Sequence, residues 1–301
     1  LDRLSPRDVS AFWAVVPKLL RGGRYNHDQM KLMFHQFDVI STKSIKEIER
    51  YGYRDLATLA ISLAKIIDKV VERSRNRKGT PQQILQEILI GNNSEIKQFI
   101  FNKLAAASVP ILYDFDARHL SNLIYAFGLA KVIIPVEDGS TYFDMLAEVA
   151  IPNLKHFIPQ HLSNMLWAYA NVGISHSTLF KKAGDHIMTL DLRQFNGQDF
   201  ANTVWAYATA QESHPKLFQK VADHIVTLDH LNSFKPKDFS SILWAYAKAE
   251  ESHPKLFKKV ADHIVSLDLR QFNPQNFSIM LWAYATAGVS HPKMYEKVAD
   301  H

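Results

Sequence analysis

The sequence predicts an all-α fold, an α-solenoid built from stacked antiparallel helical hairpins. The pattern aliphatic-Trp-Ala-Tyr-Ala returns every 38 or 39 residues, at Trp167, Trp205, Trp244 and Trp282, and a fixed period of this size is typical of stacked-repeat proteins. Each period contains two segments whose apolar residues recur at helical spacing. A single hairpin cannot bury both of its faces, whereas a stack of hairpins can. We therefore expect a curved rod with a long concave surface.

The composition narrows the possible function classes. Of the 301 residues, 47% are hydrophobic and 22% are charged, which suits a packed core. The absence of cysteine excludes disulfides, thiol chemistry and cysteine-based zinc sites. The apolar run at 104–113 is too short to span a bilayer, so no membrane association is predicted. Because no Gly-rich phosphate loop, nucleophile elbow or metalloprotease motif occurs, we expect no enzyme, cofactor, metal or small-molecule substrate.

Residues 1–110 are predicted to form diverged N-terminal helical repeats. Ser5 and Pro6 have the residue types of a helix cap and a first helical position, and helices are predicted at 51–64, 84–90 and 94–107. A basic loop with glycine and proline lies near 72–82. Residues 1–110 contain 18 Lys and Arg and 11 Asp and Glu, a net charge of +7, whereas the rest of the chain carries −2. This basic excess favours an anionic partner; the alternative is a solvated basic loop.

Residues 111–301 are predicted to form a regular array of five units, the last one truncated. The units begin at equivalent phenylalanines and are called repeats 1 to 5 below; these residues are Phe115, Phe157, Phe195, Phe234 and Phe272. In repeat 4 the first helix is predicted at 236–249 and the second from Pro254 onwards, after a short break. Repeat 1 is longer, and its extra residues at 131–140 are predicted to form a loop. The sequence stops inside a predicted helix, so more repeats or another domain are expected to follow.

The repeated tryptophans and histidines are interpreted as structural. Each Trp has a small residue four positions before it and another three positions after it, which favours packing between repeats over base stacking. The repeated histidines lie at the start of the second helix or directly after an Asp. Neighbouring Asp and His side chains point to different sides of a helix, so this is not metal-ligand spacing.

A second stripe on each first helix is a candidate ligand surface. It lies 4, 7, 11 and 14 residues after the leading Phe, with Ala always at 11 and varied, mostly polar residues at the other three positions. Such side chains can donate to and accept from a base edge, and one base per repeat is an established mode of RNA recognition. The alternative is an ordinary solvated face. The candidates for base reading are His119, Asn122, His161, Asn164, Asp199, Asn202, Asp238, Ser241 and Asn276.

Basic side chains at recurring positions are candidates for phosphate contacts. Lysine pairs four residues apart open the second helices, where like charges and the helix dipole both disfavour them and a polyanion would offset these costs. The alternative is a solvated face that nearby Asp residues partly neutralise. The candidates are Arg7, Arg54, Arg73, Arg75, Arg77, Lys78, Arg118, Lys216, Lys220, Lys237, Lys255, Lys259, Lys293 and Lys297.

The repeats resemble the octotricopeptide and heptatricopeptide families of helical-hairpin proteins. The resemblance rests on the pattern of residues 157–170 and its copies, followed by His-Pro-x-Leu-Phe as at His253–Phe257. These families are typical of organelle RNA-binding proteins, often with a RAP domain and related in layout to the FAST-kinase-domain group. The resemblance implies a solenoid that binds RNA in mitochondria or plastids and acts in transcript processing, stability, editing or translation. No segment of this sequence matches a RAP domain.

We therefore predict a protein that binds single-stranded RNA, with other proteins of an RNA-processing complex as possible partners. The alternative is a protein-interaction scaffold that uses the concave surface, because α-solenoids also bind peptides and partner helices.

Overall fold

The computed structural model describes residues 5–9, 11, 46–74 and 94–300, with the side chains at 69–74 and 94–96 left out. The predicted helix at 84–90 and most of the predicted basic loop lie outside the described residues. The described residues form helices and loops, and an isolated β-bridge joins Pro135 and Thr141. The chain divides into two compact units, Leu1–Asn153 and Leu154–His301.

The main helices are numbered along the chain. Unit 1 contains α1 (Tyr53–Ser74), α2 (Ser94–Ser108), α3 (Ala117–Ala130) and α4 (Tyr142–Asn153). Unit 2 contains α5 (Pro159–Asn171), α6 (Ser177–Thr189), α7 (Gly197–Ala210), α8 (Pro215–Thr227), α9 (Pro236–Lys248), α10 (Pro254–Ser266), α11 (Pro274–Thr286) and α12 (Pro292–Ala299). Short 3₁₀ turns join several of them, for example Leu192–Gln194 and Leu269–Gln271.

In unit 1, helix α1 packs along α3, the first helix of repeat 1. The predicted N-terminal cap is confirmed: the Ser5 Oγ accepts from the Asp8 amide at 3.3 Å, and the Asp8 carboxylate accepts from the Ser5 amide at 2.8 Å. The predicted loop of repeat 1 is also confirmed, because α3 ends at Lys131 in the left-handed region (φ 54°). The chain then runs without helix to Tyr142.

Unit 2 consists of two layers of helices, and the predicted α-solenoid is confirmed. The first helices of repeats 2 to 5, which are α5, α7, α9 and α11, each pack on the next one along the chain. The second helices, α6, α8, α10 and α12, do the same. Proline opens six of the eight helices of unit 2, which fits its fixed φ and missing amide hydrogen. The start and end predicted for the first helix of repeat 4, and the start predicted for its second helix, agree with α9 and α10 to within one residue.

A row of buried tyrosines ties the first helices of repeats 3 to 5 to the second helix of the preceding repeat. The Tyr246 hydroxyl donates to the Phe218 carbonyl at 2.6 Å, and the two rings meet edge to face with centroids 5.1 Å apart. Burial raises the pKa of Tyr246 well above its usual range. The equivalent bonds join Tyr207 to Phe180 and Tyr284 to Phe257. Each bond satisfies a buried hydroxyl and fixes the spacing of two repeats.

The repeated histidines have the structural role that the sequence predicts. In repeat 4 the His253 Nδ1 accepts from the Leu256 amide at 3.1 Å and caps α10, while its Nε2 lies 3.2 Å from Asp223 Oδ1 of the preceding repeat. The accepting Nδ1 requires the proton to reside on Nε2, which then donates to the carboxylate. His214 with Asp185 and His291 with Asp262 repeat the arrangement at 3.6 and 3.0 Å.

None of the described helices is both long and apolar enough to cross a membrane.

Candidate nucleic-acid interface

The solvent-facing residues of the first helices of unit 2 form one continuous stripe on each helix, which we call the first-helix face. They lie 3, 7, 10 and 14 residues after the leading Phe, which is the i, i+4, i+7, i+11 spacing of one helix side. The face comprises Gln160, Asn164, Trp167, Asn171, Gln198, Asn202, Trp205, Thr209, Lys237, Ser241, Trp244, Lys248, Gln275, Ile279, Trp282 and Thr286.

A row of tryptophans runs through the middle of the first-helix face. The rings of Trp167 and Trp205 have centroids 6.2 Å apart at an interplanar angle of 31°, and those of Trp205 and Trp244 are 6.4 Å apart at 33°. These contacts confirm the predicted role in packing between repeats. The rings are nevertheless only half-buried, and Trp282 at the end of the row is 44% exposed. The row therefore also presents aromatic surface to solvent.

Amide and hydroxyl groups lie one helical turn before the tryptophans. Asn164, Asn202 and Ser241 occupy the same position in repeats 2 to 4 and are half-buried. Within the described part of the chain, no hydrogen bond joins these three side chains to another residue. Half-buried amides without an internal partner can bond to a ligand edge. In repeat 5 the equivalent residue is Ile279, so the fourth repeat of this unit lacks such a group.

The first-helix face carries positive but no negative charge. Its only ionisable residues among the sixteen described positions are Lys237 and Lys248, both exposed. The second helices differ, because each exposes lysines together with a carboxylate, such as Asp223, Asp262 or Glu296. A surface without carboxylates attracts an anionic ligand more strongly than a mixed one.

The predicted base readers at position 4 have a different role in repeats 3 to 5. Asp199, Asp238 and Asn276 are 4%, 6% and 8% exposed, and each is the third residue of its helix. The Asp199 carboxylate accepts from the Asn196 amide at 3.1 Å and from the Ser163 hydroxyl at 3.0 Å. These side chains cap the helix N-terminus and do not reach solvent, so we do not carry them into the proposal for base reading.

The position 4 side chains also tie successive first helices together. Ser163 lies on α5 and Asp199 on α7, and the Asn276 amide nitrogen lies 3.4 Å from the Ser240 hydroxyl on α9. Burial raises the pKa of the Asp199 carboxyl, partly offset by the bonds it accepts. Burial likewise raises the pKa of Asp238. An ionised carboxylate here is costly to bury, and the asparagine of repeat 5 avoids that cost.

The remaining predicted base readers lie in repeats 1 and 2. In unit 1, Asn122 lies seven residues after Phe115 and is half-buried. The His119 Nδ1 contacts Asp116 Oδ1 at 2.7 Å. In unit 2, the His161 ring lies edge-on to Phe157 with centroids 6.0 Å apart. The alanines at position 11 are fully buried, because the neighbouring first helix packs against them and leaves no room for a ligand.

Two of the lysines predicted to contact phosphate cap the C-terminal ends of helices instead. The Lys220 Nζ donates to the carbonyls of Met188 and Leu190 at 2.8 and 2.9 Å, at the C-terminal end of α6. The Lys297 Nζ donates in the same way to Val265 and Leu267. A lysine ammonium group that is surrounded by carbonyls at a helix C-terminus interacts favourably with the helix dipole and stabilises the helix. Its ammonium group is therefore engaged by the protein.

The other predicted phosphate contacts divide between the two helix layers. Lys216, Lys255 and Lys293 are exposed and Lys259 is half-buried, all on second helices. The structure thus does not bring them together with the first-helix face of the other layer. Lys237 is exposed on that face, and Arg118, Arg54 and Arg7 are exposed at the equivalent position in unit 1. The side chain of Arg73 and residues Arg75, Arg77 and Lys78 lie outside the described residues.

The ligand stripe predicted from the sequence lies one residue position away from the first-helix face. Positions 7 and 14 belong to both. Position 3, which includes Gln160 and Gln198, and the Trp at position 10 belong to the first-helix face alone. A signal for the difference exists in the sequence, because Asn196-x-x-Asp199 and Asn273-x-x-Asn276 have capping-box spacing. Once position 4 is assigned to the cap, the exposed side moves to position 3.

The described residues contain no group of three His, Asp or Glu side chains able to hold a metal ion. No protein-family model matches the chain, and no curated protein matches it in sequence.

Proposed function

We propose that this chain binds single-stranded RNA along the first-helix face of unit 2, with sequence preference. The observation that carries the proposal is the recurrence of an unpartnered polar side chain beside a half-buried tryptophan in successive repeats. Asn164 with Trp167, Asn202 with Trp205 and Ser241 with Trp244 have the same placement on a constant scaffold. Modular RNA readers combine such hydrogen-bonding groups with stacking surfaces, one set per repeat.

The charge of the face supports an anionic ligand over a peptide. Lys237 and Lys248 are the ionisable groups on the face, and the carboxylates of Asp199 and Asp238 are buried and used in caps. Phosphates approaching the face therefore meet no exposed carboxylate on the first helices of repeats 2 to 5. This arrangement lowers the repulsion that a mixed surface imposes on a polyanion.

A protein-interaction scaffold is the second candidate, because the first-helix face of unit 2 carries only two charged side chains, Lys237 and Lys248, and α-solenoids also bind peptides and partner helices. An organellar setting and a role in transcript processing, stability, editing or translation rest on the family resemblance, and we include them in the proposal on that ground alone. We propose a binding protein without catalytic activity of its own.

Selection from a randomised pool of single-stranded RNA tests the proposal. The chain is incubated with the pool at low and at physiological salt, and the retained RNA is sequenced. We expect binding that weakens steeply with salt and a short enriched motif. Failure to retain any RNA at low salt would refute the proposal and favour the protein scaffold.

A matched pair of double variants then tests which layer binds. Asn164→Ala with Asn202→Ala is expected to weaken the enriched RNA about 30-fold, from about 1 kcal/mol for each lost hydrogen bond, and to weaken unrelated RNA much less. Lys216→Ala with Lys255→Ala on the second helices is the control and is expected to leave the affinity nearly unchanged. Equal losses for all RNA sequences in the asparagine variant contradict base reading by these residues.

A further inference from the structure

A polar cavity of about 470 Å³ lies between α9 and α11, and we call it the repeat 4–5 cavity. Its walls include Lys235, Lys237, Ser241, Gln275 and Ile279. Four of these five residues belong to the first-helix face, so the cavity is continuous with the surface proposed to bind RNA. Its volume lies within the range of about 300–1,000 Å³ that is typical of small-ligand sites.

The start of α9 differs from the start of the preceding first helix in a way that leaves space for this cavity. Gly197 opens α7, and a Cβ atom added there would lie 2.9 Å from the Phe234 ring. Only glycine therefore lets Phe234 pack so closely on the start of α7. The equivalent first residue of α9 is Pro236, which lines the cavity. Because proline carries a Cβ and a ring, Phe272 cannot approach α9 in the same way.

The wall of the repeat 4–5 cavity carries positive charge. Lys235 and Lys237 are exposed, and the described residues that line the cavity include no Asp or Glu. Lys235 occupies the N-cap position of α9, where repeats 3 and 5 have Asn196 and Asn273, whose side chains accept a bond from the helix. A lysine cannot accept such a bond, and the helix dipole disfavours a cation at this end. An anion in the cavity would offset the unfavourable charge.

A nearly buried side chain in the same wall offers a hydrogen-bond donor. Asn276 lines the cavity and is 8% exposed. Its Oδ1 accepts from the Asn273 amide at 3.1 Å, and its side-chain nitrogen has one contact, 3.4 Å from the Ser240 hydroxyl oxygen. An amide nitrogen carries two hydrogens, so one of them has no acceptor among the described residues. Repeats 3 and 4 have Asp199 and Asp238 at this position, and an ionised carboxylate can only accept.

We propose that the repeat 4–5 cavity binds the phosphate group of one nucleotide, with Lys235 and Lys237 as its counter-ions and Asn276 as a hydrogen-bond donor. The proposal rests on the proposed RNA-binding function and adds a phosphate site at one junction of the first-helix face. Ser241 can bond to the ribose or to a base edge, and Ile279 offers apolar surface to the base. The nucleotide can belong to an RNA strand or be free, and the test separates these two sources.

The test uses variants that reproduce residues of neighbouring repeats, so that the fold is preserved. Asn276→Asp restores the carboxylate of repeats 3 and 4, and Lys235→Asn restores the N-cap residue of repeats 3 and 5. Lys258→Asn is the control, because Lys258 is exposed on α10 in the other helix layer and its removal changes the net charge equally. Circular dichroism and thermal unfolding establish that the variants are folded.

The first measurement is the affinity for a randomised 12-nucleotide RNA pool, by fluorescence anisotropy at several salt concentrations. Lys235→Asn is expected to weaken binding about tenfold, the loss expected for a hydrogen bond to a charged group. It is also expected to decrease the slope of log affinity against log salt by about 0.7, the value for one phosphate of a single strand. Asn276→Asp is expected to weaken binding by a similar factor at neutral pH, because it places a carboxylate beside the phosphate. Lys258→Asn is expected to leave both quantities nearly unchanged.

The second measurement compares uridine 5′-monophosphate with uridine by saturation-transfer NMR. RNA binding that depends on Lys235, without a signal from the free nucleotide, assigns the cavity to a phosphate of the strand. Binding of the monophosphate, but not of uridine or RNA, that Lys235→Asn abolishes supports a free-nucleotide site and refutes the proposed function.

The remaining outcomes overturn the cavity site. RNA affinities and salt slopes that are equal in the wild type, Lys235→Asn and Asn276→Asp overturn it and leave RNA binding elsewhere on the first-helix face. If the wild type binds neither the RNA pool at low salt nor the monophosphate, both the cavity site and the proposed function are overturned.

Discussion

Replacing Lys220 by methionine is expected to destabilise the protein without weakening RNA binding. The Lys220 Nζ donates to the carbonyls of Met188 and Leu190 at 2.8 and 2.9 Å and lies 3.4 Å from that of Ile187. The Met188 and Leu190 carbonyls lie at and just after the end of α6 and have no partner within that helix, whereas the Ile187 carbonyl also accepts from the Leu190 amide at 3.1 Å. Methionine keeps the length and the apolar packing of the lysine stem, so the substitution removes mainly the ammonium group.

The size of the effect follows from the bonds that are lost. A hydrogen bond that involves a charged group contributes about 1.5–3 kcal/mol, and a cation at a helix C-terminus adds about 0.3–1 kcal/mol. Lys220 is half-buried, and water reaches the carbonyls once the ammonium is gone, so we expect a net loss of about 2 kcal/mol. With a urea dependence of about 2 kcal/mol/M, the midpoint of unfolding falls by about 1 M.

Urea denaturation followed by far-ultraviolet circular dichroism measures the change. Lys216→Met is the matched control, because Lys216 lies one turn earlier on α8 and is exposed; its midpoint is expected to stay within about 0.2 M, since exposed substitutions cost little. Equal midpoints for the two variants would refute the capping role. A loss of RNA affinity in folded Lys220→Met would return this lysine to the phosphate contacts.

Two further predictions concern buried polar groups of unit 2. Tyr246→Phe removes the donor to the Phe218 carbonyl, a bond of 2.6 Å, and is expected to lower the free energy of unfolding by about 1–2 kcal/mol; Tyr295→Phe, whose hydroxyl makes a longer bond of 3.1 Å at a half-buried site, is the control, and an equal effect in both variants contradicts the assignment. Asp199→Asn reproduces the residue of repeat 5 and tests the buried carboxylate. Because burial raises the pKa of Asp199 in the folded state, the folded protein holds that proton at a pH where the unfolded chain, with a pKa of about 3.9, has released it. The stability of the wild type relative to Asp199→Asn is therefore expected to be highest below that value and to decrease as the pH rises through the folded pKa; unfolding midpoints at pH 4 and pH 7 measure the difference, and a difference that is constant or of opposite sign contradicts the raised pKa.

The helices of the fold were accessible from sequence because their signals are local. Pro236 and Pro254 mark helix starts, and the recurrence of Trp and Tyr identifies the repeats. The predicted bounds of α9 and the predicted start of α10 are accordingly correct to within one residue. The structural role of His253 was likewise predictable from its place at the start of the second helix. Its bond to Asp223 was not, because that bond depends on how neighbouring repeats align.

The ligand surface was less accessible because exposure depends on the neighbours of a helix. Position 11 and position 10 differ by a rotation of about 100°, and only the packing of one first helix on the next decides which is covered. Ala206 is fully buried in that contact, whereas Trp205 stays half-exposed. For the same reason, the contact of Lys220 with α6 is invisible in sequence, since it joins residues about 30 positions apart.

The ties that the repeated Tyr, His and Lys side chains of unit 2 make share one direction, and that direction has a consequence during synthesis on the ribosome. Tyr246, His253 and Lys220 each bond to the repeat that precedes their own. The carbonyls at the C-terminal end of a second helix are therefore bonded only after the following repeat has been made and has folded against it. At about 5–20 residues per second, a lag of one 38-residue period corresponds to about 2–8 s in which the last emerged hairpin is incomplete. Nascent chains stalled one repeat apart are thus expected to differ in protease resistance at the older repeat.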